Sequence, residues 1–247
     1  DKGLKIFKAA LIGNPNSGKT TLFNNLTGDY QYVGNWPGVT VGRKEGRIKN
    51  IDEMIDLVDL PGVYSLSPYS PEEVITRNYI LDESPDIIIN IIDATNLERN
   101  LYLTTQLLEL DCRIILALNM TDLLLYKGKK IDYNMLENEF GVPVIPVSAG
   151  KNHGIDELLG KLSFVLKNNG TASRAYNFYS AEVEKALGEI DKTVNTGNEH
   201  IRHDRFKLVK IFEDDILVMY ESNLNKDQIN KVVKIRDSAS KICDKDK

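Results

Sequence analysis

The chain has 247 residues, 42 % of them hydrophobic, with 31 Lys and Arg against 36 Asp and Glu for a formal charge of −5. That is ample apolar material for one large packed domain or two, and the acidic balance argues against a broad nucleic-acid-binding surface. Cys112 and Cys243 lie far apart in no CxxC or Cys/His spacing, so neither a disulfide framework nor a zinc module is expected, and a reducing cytoplasm fits. No apolar stretch reaches the roughly 18 residues that cross a bilayer and no signal peptide opens the chain, so the polypeptide is expected to be soluble as given. Its start at Asp1 and its DKDK end read as a piece of a longer protein.

In chain order, Phe7 to Ile12 (FKAALI) reads as a buried strand, and Thr21 to Leu26 (TLFNNL) as the start of a helix. Between them Gly13 to Thr20, GNPNSGKT, satisfies GxxxxGK followed by Ser or Thr, the pattern of a loop that holds a nucleoside triphosphate. Gly13, Asn14, Pro15, Asn16, Ser17, Gly18, Lys19, Thr20 and Thr21 are therefore expected to surround the phosphates. Glycines let backbone N–H groups curl round phosphate oxygens, and the helix adds its positive N-terminal end. Lys19 supplies charge and Thr20 a magnesium ligand. Thr40 sits in a glycine-bearing segment downstream, where GTPases need a threonine to close over magnesium while the γ-phosphate is present. Arg43 and Arg47 follow in what looks like a strand and read as surface charges rather than an internal arginine finger. A strand near Ile55 to Val58 runs into Asp59-Leu60-Pro61-Gly62, where Asp59 can hold magnesium through water and the Gly62 N–H can reach the γ-phosphate. Val63 then occupies the position where a water-orienting glutamine is familiar.

Ile87 to Ile92, Ile114 to Leu118 and Val142 to Val147 read as parallel strands buried on both faces. Asn119-Met120-Thr121-Asp122 matches NxxD after one of them: an Asp carboxylate there can accept from the N1–H and the exocyclic amine of guanine, an edge that adenine lacks. Met120 replaces the lysine that usually packs along the nucleotide, which loosens guanine binding. Ser148-Ala149 follows the last strand, and the Ala149 N–H is expected to donate to guanine O6. Ile155, Leu158, Leu159, Leu162 and Leu166 share one helical face. Strands alternating with helices give an α/β fold, a P-loop GTPase (Ras-like) three-layer domain with a mostly parallel sheet, over residues 1–168. NNGTAS after Lys167 reads as a linker. Ser180 is a candidate N-cap for a helix carrying Val183, Ala186, Leu187, Ile190 and Val194. Leu208, Ile211, Phe212 and Met219 repeat with helical spacing, and Asn225 with Gln228 makes a capping arrangement. Residues 169–247 are thus expected to form a small all-helical domain.

GNPNSGKTTLFN, VGNWPGVTVGRKEG (Val33 to Gly46), DLPGVYSLSPYSPEE, DATNLERNLYLTTQLLEL and NMTD together resemble the cytosolic N-terminal part of the bacterial ferrous-iron transporter family FeoB. The resemblance covers most of residues 4–166. It implies a GDI-like helical domain after the G domain, a membrane permease on the same polypeptide as partner, a place on the cytoplasmic face of the cell membrane, and ferrous iron as cargo. It also implies potassium as a cofactor beside magnesium, coordinated by Asn16 and by the backbone carbonyls of Gly34 and Trp36, in place of the missing catalytic glutamine. Glu72 and Glu73 fall where the family carries acids of the second switch.

The resulting expectation is a slow, potassium-activated GTPase with Asn16, Lys19 and Thr40 catalytic, magnesium on Thr20, Thr40 and Asp59, and no nucleic-acid partner. One alternative is a binding module whose segments Pro37 to Val41 and Pro61 to Ser70 report GTP state with little turnover. Another is a soluble ribosome- or tRNA-associated GTPase, disfavoured by the acidic charge. Trp36 is the only tryptophan and is expected to act through its backbone, its side chain mattering little. His200 and His203 read as solvated helix residues, Cys112 and Cys243 as idle thiols, and Lys127, Lys129 and Lys130 as a solvated turn with lipid-headgroup contact as the sharper alternative. A homo-oligomer is left open.

Overall fold

The computed structural model describes residues 5–28, 31–67, 69–110, 112–168, 179–194 and 204–243. The chain divides into two compact units, residues 1–174 and 175–247. In the first, seven strands form one sheet: β1 (Ile6–Gly13), β2 (Gln31–Asn35), β3 (Gly42–Arg47), β4 (Met54–Asp59), β5 (Ile87–Asp93), β6 (Ile114–Asn119) and β7 (Val144–Pro146). Their order is β2-β3-β4-β1-β5-β6-β7; β4, β1, β5, β6 and β7 run parallel, and β2 and β3 are antiparallel additions at one edge. The helices are α1 (Lys19–Thr27), α2 (Pro71–Asn78), α3 (Leu97–Leu108), α4 (Thr121–Tyr126), α5 (Tyr133–Phe140) and α6 (Ile155–Lys167). Ala9 and Leu11 of β1 pack with Leu22, Phe23 and Leu26 of α1 and with Leu158 and Leu162 of α6 in one buried cluster.

The last strand is shorter than the sequence run Val142 to Val147 predicts, because Pro143 and Pro146 have no N–H to give to a ladder; Pro143 contributes only its carbonyl, accepting from Leu116 N–H at 2.9 Å. Helix α2 begins with a capping box between Ser70 and Glu73 and runs on into a π-helical turn, Tyr79–Glu83.

The second unit holds α7 (Ala181–Val194), α8 (Asp204–Phe212), α9 (Ile216–Glu221) and α10 (Lys226–Cys243) around Ile190, Ile211, Val218 and Val232. The single helical run expected over Leu208 to Met219 is two helices: Asp214 adopts a left-handed φ of 65°, and Asp215 caps a new start by accepting from the N–H groups of Leu217 and Val218, each at 3.1 Å. Asn225 and Gln228 form the reciprocal cap of α10 at 3.0 and 2.9 Å. Linker residues 169–173 and both His200 and His203 lie outside the described residues, as does the Cys243 side chain; the Cys112 thiol is buried.

Asn90 is a polar side chain amid the five isoleucines of β5, and it is satisfied: Nδ2 donates to Ile12 O at 3.3 Å and Oδ1 accepts from Thr104 Oγ1 at 2.7 Å. Asn90→Leu would leave the Thr104 hydroxyl and the Ile12 carbonyl with fewer partners, and urea unfolding is expected to register a loss of about 1–3 kcal/mol. Adding Thr104→Val should return part of it.

Candidate nucleotide site

The loop from Asn14 to Gly18 leaves the carboxyl end of β1, the central strand, and turns into α1. Ser17 N–H closes a turn on Asn14 O at 3.2 Å. Asn16 and Gly18 both take left-handed φ values, 64° and 89°, and such alternation points successive backbone N–H groups into one anion-binding concavity. A side chain at Gly18 is excluded twice over, since its Cβ would stand 2.2 Å from Asn119 Nδ2; a Cβ at Gly13 would stand 2.4 Å from Ile91 O. Asn14 Oδ1 and Ser17 Oγ are buried without a hydrogen-bond partner, which fits a cradle completed by phosphate and its metal. Asn16, Thr20 and Thr21 are exposed at its rim.

Lys19 Nζ is ion-paired with Asp59 Oδ1, both side chains largely buried. Asp59-Leu60-Pro61-Gly62 lies along the same strand end: Leu60 N–H donates to Leu11 O at 3.0 Å, Val63 N–H to Gly13 O at 3.2 Å, and a Cβ on Gly62 would come within 3.2 Å of the Pro15 backbone. Val63 is buried in the core, so no side chain at that position faces an attacking water. Glu73 caps α2 and accepts from Ser65 Oγ at 3.2 Å, which ties it to the segment after Gly62. Glu72 lies in the first turn of the same helix.

The first-switch segment is tied into the sheet edge at its start and closed by a turn. Gly34 belongs to β2, paired with Arg43. Trp36 N–H donates to Val41 O at 2.9 Å, and Trp36 O accepts from Val39 N–H at 3.3 Å in a tight turn with Gly38 at φ 75°. The Trp36 side chain is not idle. Only 7 % exposed, its ring meets Tyr79 edge-on at 5.6 Å and carries the Arg43 guanidinium 4.6 Å over its centroid. Arg43 also pairs with Glu45, so it is a packing cation rather than a loose surface charge. Burial, reinforced by Glu45 and Glu83, pushes the Tyr79 hydroxyl up to about 12. Thr40 is exposed.

At the ends of β6 and β7 the residues expected to read the base bond to one another. Asn119 Nδ2 donates to Ser17 O at 2.8 Å and its Oδ1 accepts the Ala149 N–H at 2.9 Å. The Ala149 N–H thus meets Asn119 Oδ1, and Asn119 links the loop after β7 to the loop before α1. Asn25 Nδ2 adds a bond to Ala149 O at 2.7 Å. Ser148 Oγ donates to Asp122 Oδ1 at 2.9 Å, and Lys151 Nζ pairs with Asp122 Oδ2 at 3.0 Å. Lys151, then Ser148, hold the Asp122 carboxyl below the usual carboxylate range. Met120 takes a left-handed φ of 63° just before α4. Lys151 was missed in the sequence; its signal was a cation three residues after Ser148.

The carboxyl end of the sheet therefore carries a phosphate cradle, a lysine–aspartate pair and an oriented aspartate beyond β6, the arrangement of a P-loop GTPase domain. Sequence comparison places it more narrowly: the family model described as "Ferrous iron transport protein B" matches residues 7–162. The Fe(2+) transporter FeoB of Staphylococcus aureus (strain MSSA476) is 38 % identical over 232 residues, 94 % of this chain and 34 % of that protein. That of Methanocaldococcus jannaschii is 45 % identical over 207 residues, 84 % of this chain and 31 % of its own length. Among solved structures, a point mutant of S. thermophilus NFeoB bound to mGDP superposes with a TM-score of 0.89 at 44 % identity, covering 96 % of this chain and 90 % of that one. S. thermophilus NFeoB bound to GDP.AlF4- and K+ gives 0.84 at 44 % identity, with 96 % and 91 % covered. The chain belongs to the ferrous iron transport protein B family, and it spans about a third of the length of the curated relatives it matches. No helix among the described residues is long and apolar enough to cross a membrane.

Gly18→Ala combines a strained φ with a clash on the Asn119 amide. Urea unfolding is expected to show a loss of at least about 1–3 kcal/mol from backbone strain, with Gly38→Ala, whose Cβ meets nothing within 4 Å, losing less.

Proposed function

We propose that this chain binds magnesium GTP and hydrolyses it slowly with potassium activation, as the cytosolic G domain and GDI-like helical domain (residues 1–168 and 169–247) of a ferrous-iron transporter. The observation that carries the reading is the phosphate cradle sharing the carboxyl end of the sheet with an Asp122 carboxylate held ionised by Lys151 and Ser148. The potassium-bound S. thermophilus relative supports the cation. The permease of the same polypeptide is the membrane partner, on the cytoplasmic face, and hydrolysis drives or gates Fe2+ uptake.

Asp122 accepts from the guanine N1–H and exocyclic amine, while Asn119 keeps the base loop and the phosphate loop in register. Lys19 leaves Asp59 for the β- and γ-phosphates, which frees the carboxylate; Asp59, Thr20 and the closing Thr40 then serve magnesium. The Gly62 N–H reaches the γ-phosphate. Asn16 and the carbonyls of Gly34 and Trp36 serve potassium, for which Trp36 O gives up its bond from Val39 N–H. Bound magnesium and potassium supply fixed positive charge against that developing on the transferring phosphoryl and its leaving oxygen. With Val63 buried, orientation of the attacking water falls to backbone groups of the two switches.

A second reading, a GTP-state switch with little turnover, draws on the Trp36–Tyr79 contact, which ties the first switch to the turn following α2. Phosphate release from the isolated chain separates the two. Turnover is expected to be faster in potassium than in sodium, with Asn16→Ala removing most of the difference; equal rates in both salts would overturn the potassium assignment.

Asp122 has a depressed folded pKa, so its ionised form persists through neutral pH and is lost only as pH falls through that lowered value. Lys151→Met should shift the acid limb of GDP affinity upward, toward the ordinary aspartate value of about 4, in a fluorescent-GDP titration against pH. An unmoved limb would show that Lys151 does not tune this carboxyl.

A further inference from the structure

The carboxyl end of α4 carries a cluster that the nucleotide site does not use. Leu123, Leu125 and Tyr126 are 46 %, 67 % and 92 % exposed, and Lys127 through Lys130 are exposed as well. Gly128, at φ 67°, folds the chain back over the helix end: its N–H donates to Leu125 O and the Lys129 N–H to Leu124 O, both at 3.0 Å. The turn thus gathers three cations within four residues beside three bare apolar side chains, on a chain of net charge −5. Lys127, Lys129 and Lys130 have no ion-pair partner among the described residues. The acid that follows them, Asp132, is spent on its own backbone as the α5 cap, accepting from Met135 N–H at 3.0 Å. Asp122, at the opposite end of α4, is paired with Lys151.

A cation at a helix C-terminus complements the helix dipole, which accounts for Lys127. It does not account for Leu125 and Tyr126 standing in water beside it. Leucine, tyrosine and lysine on one small surface match a phospholipid boundary: the aliphatic chain enters the acyl edge, the phenol stays at headgroup level, and the ammonium groups meet anionic phosphates. We propose that residues 123–130 form a contact by which this domain rests on an anionic phospholipid surface. Charge complementarity selects the anionic lipid. Three lysines and three apolar side chains give a shallow, reversible contact, suited to a domain that the rest of a transporter polypeptide keeps near the bilayer.

The test is cosedimentation of the whole chain at low salt with phosphatidylcholine vesicles containing one part in three of phosphatidylglycerol. Pelleting should exceed that with pure phosphatidylcholine and fall as added salt shortens the Debye length to a few ångströms. The variant K127E/K129E/K130E should lose about tenfold or more in vesicle affinity, and L125S/Y126S a severalfold smaller share, both keeping the parent's GDP affinity as the measure of an intact fold. Equal pelleting on neutral vesicles, or a triple variant that pellets like the parent, overturns the proposal. If L125S/Y126S binds anionic vesicles as well as the parent does, the attraction is charge alone, of the kind an acidic protein face would satisfy, and the lipid assignment falls.

Discussion

The Asn119 carboxamide is the interaction on which the rest of the site depends. Its two ends join Ser17 of the phosphate loop to Ala149 of the base loop, so two ligand-binding segments that are 132 residues apart, 149 less 17, move as one body. Each bond is worth only about 0.5–1.5 kcal/mol net, but the group is buried, and leaving either end unmade costs the larger desolvation penalty. Glycine at position 18 is what lets the amide come that close.

The charged contacts differ greatly in what they hold. Lys8–Glu83 and Arg47–Asp56 are about half exposed, and pairs of that kind contribute about 0–1 kcal/mol. Lys19–Asp59 is almost sealed from solvent; removing one partner from such a pair strands a buried charge at a cost of about 3–5 kcal/mol. In the proposed nucleotide-bound state a phosphate would compensate Lys19 and a divalent cation Asp59, so neither charge would be left buried alone.

Much of the fold was legible because its strands are continuous apolar runs and its loops carry punctuation. β1, β5 and β6 could be read from FKAALI, IIINII and IILAL, and the glycine and lysine positions of the phosphate loop from their spacing. β2 was not legible: QYVGN alternates weakly, and it forms by pairing with β3, which itself takes its register from β4. The role of Trp36 was hidden for the same reason, since nothing local says that a ring at residue 36 meets one at residue 79. NxxD marks the turn after β6. That its asparagine also joins two loops was not legible, because its partners Ser17 and Ala149 are both far away in sequence. The proline-shortened β7 was foreseeable from Pro143 and Pro146, whose missing N–H groups carry more weight than the apolar character of their neighbours.

The packing of Trp36 has a spectroscopic consequence. Because the chain has a single tryptophan, buried between the Arg43 guanidinium and the edge of the Tyr79 ring, every indole photon the protein emits originates in the first switch. A rearrangement that moved the indole toward water or away from its cationic neighbour would change both the wavelength and the lifetime of that emission, readable in stopped flow on unlabelled protein.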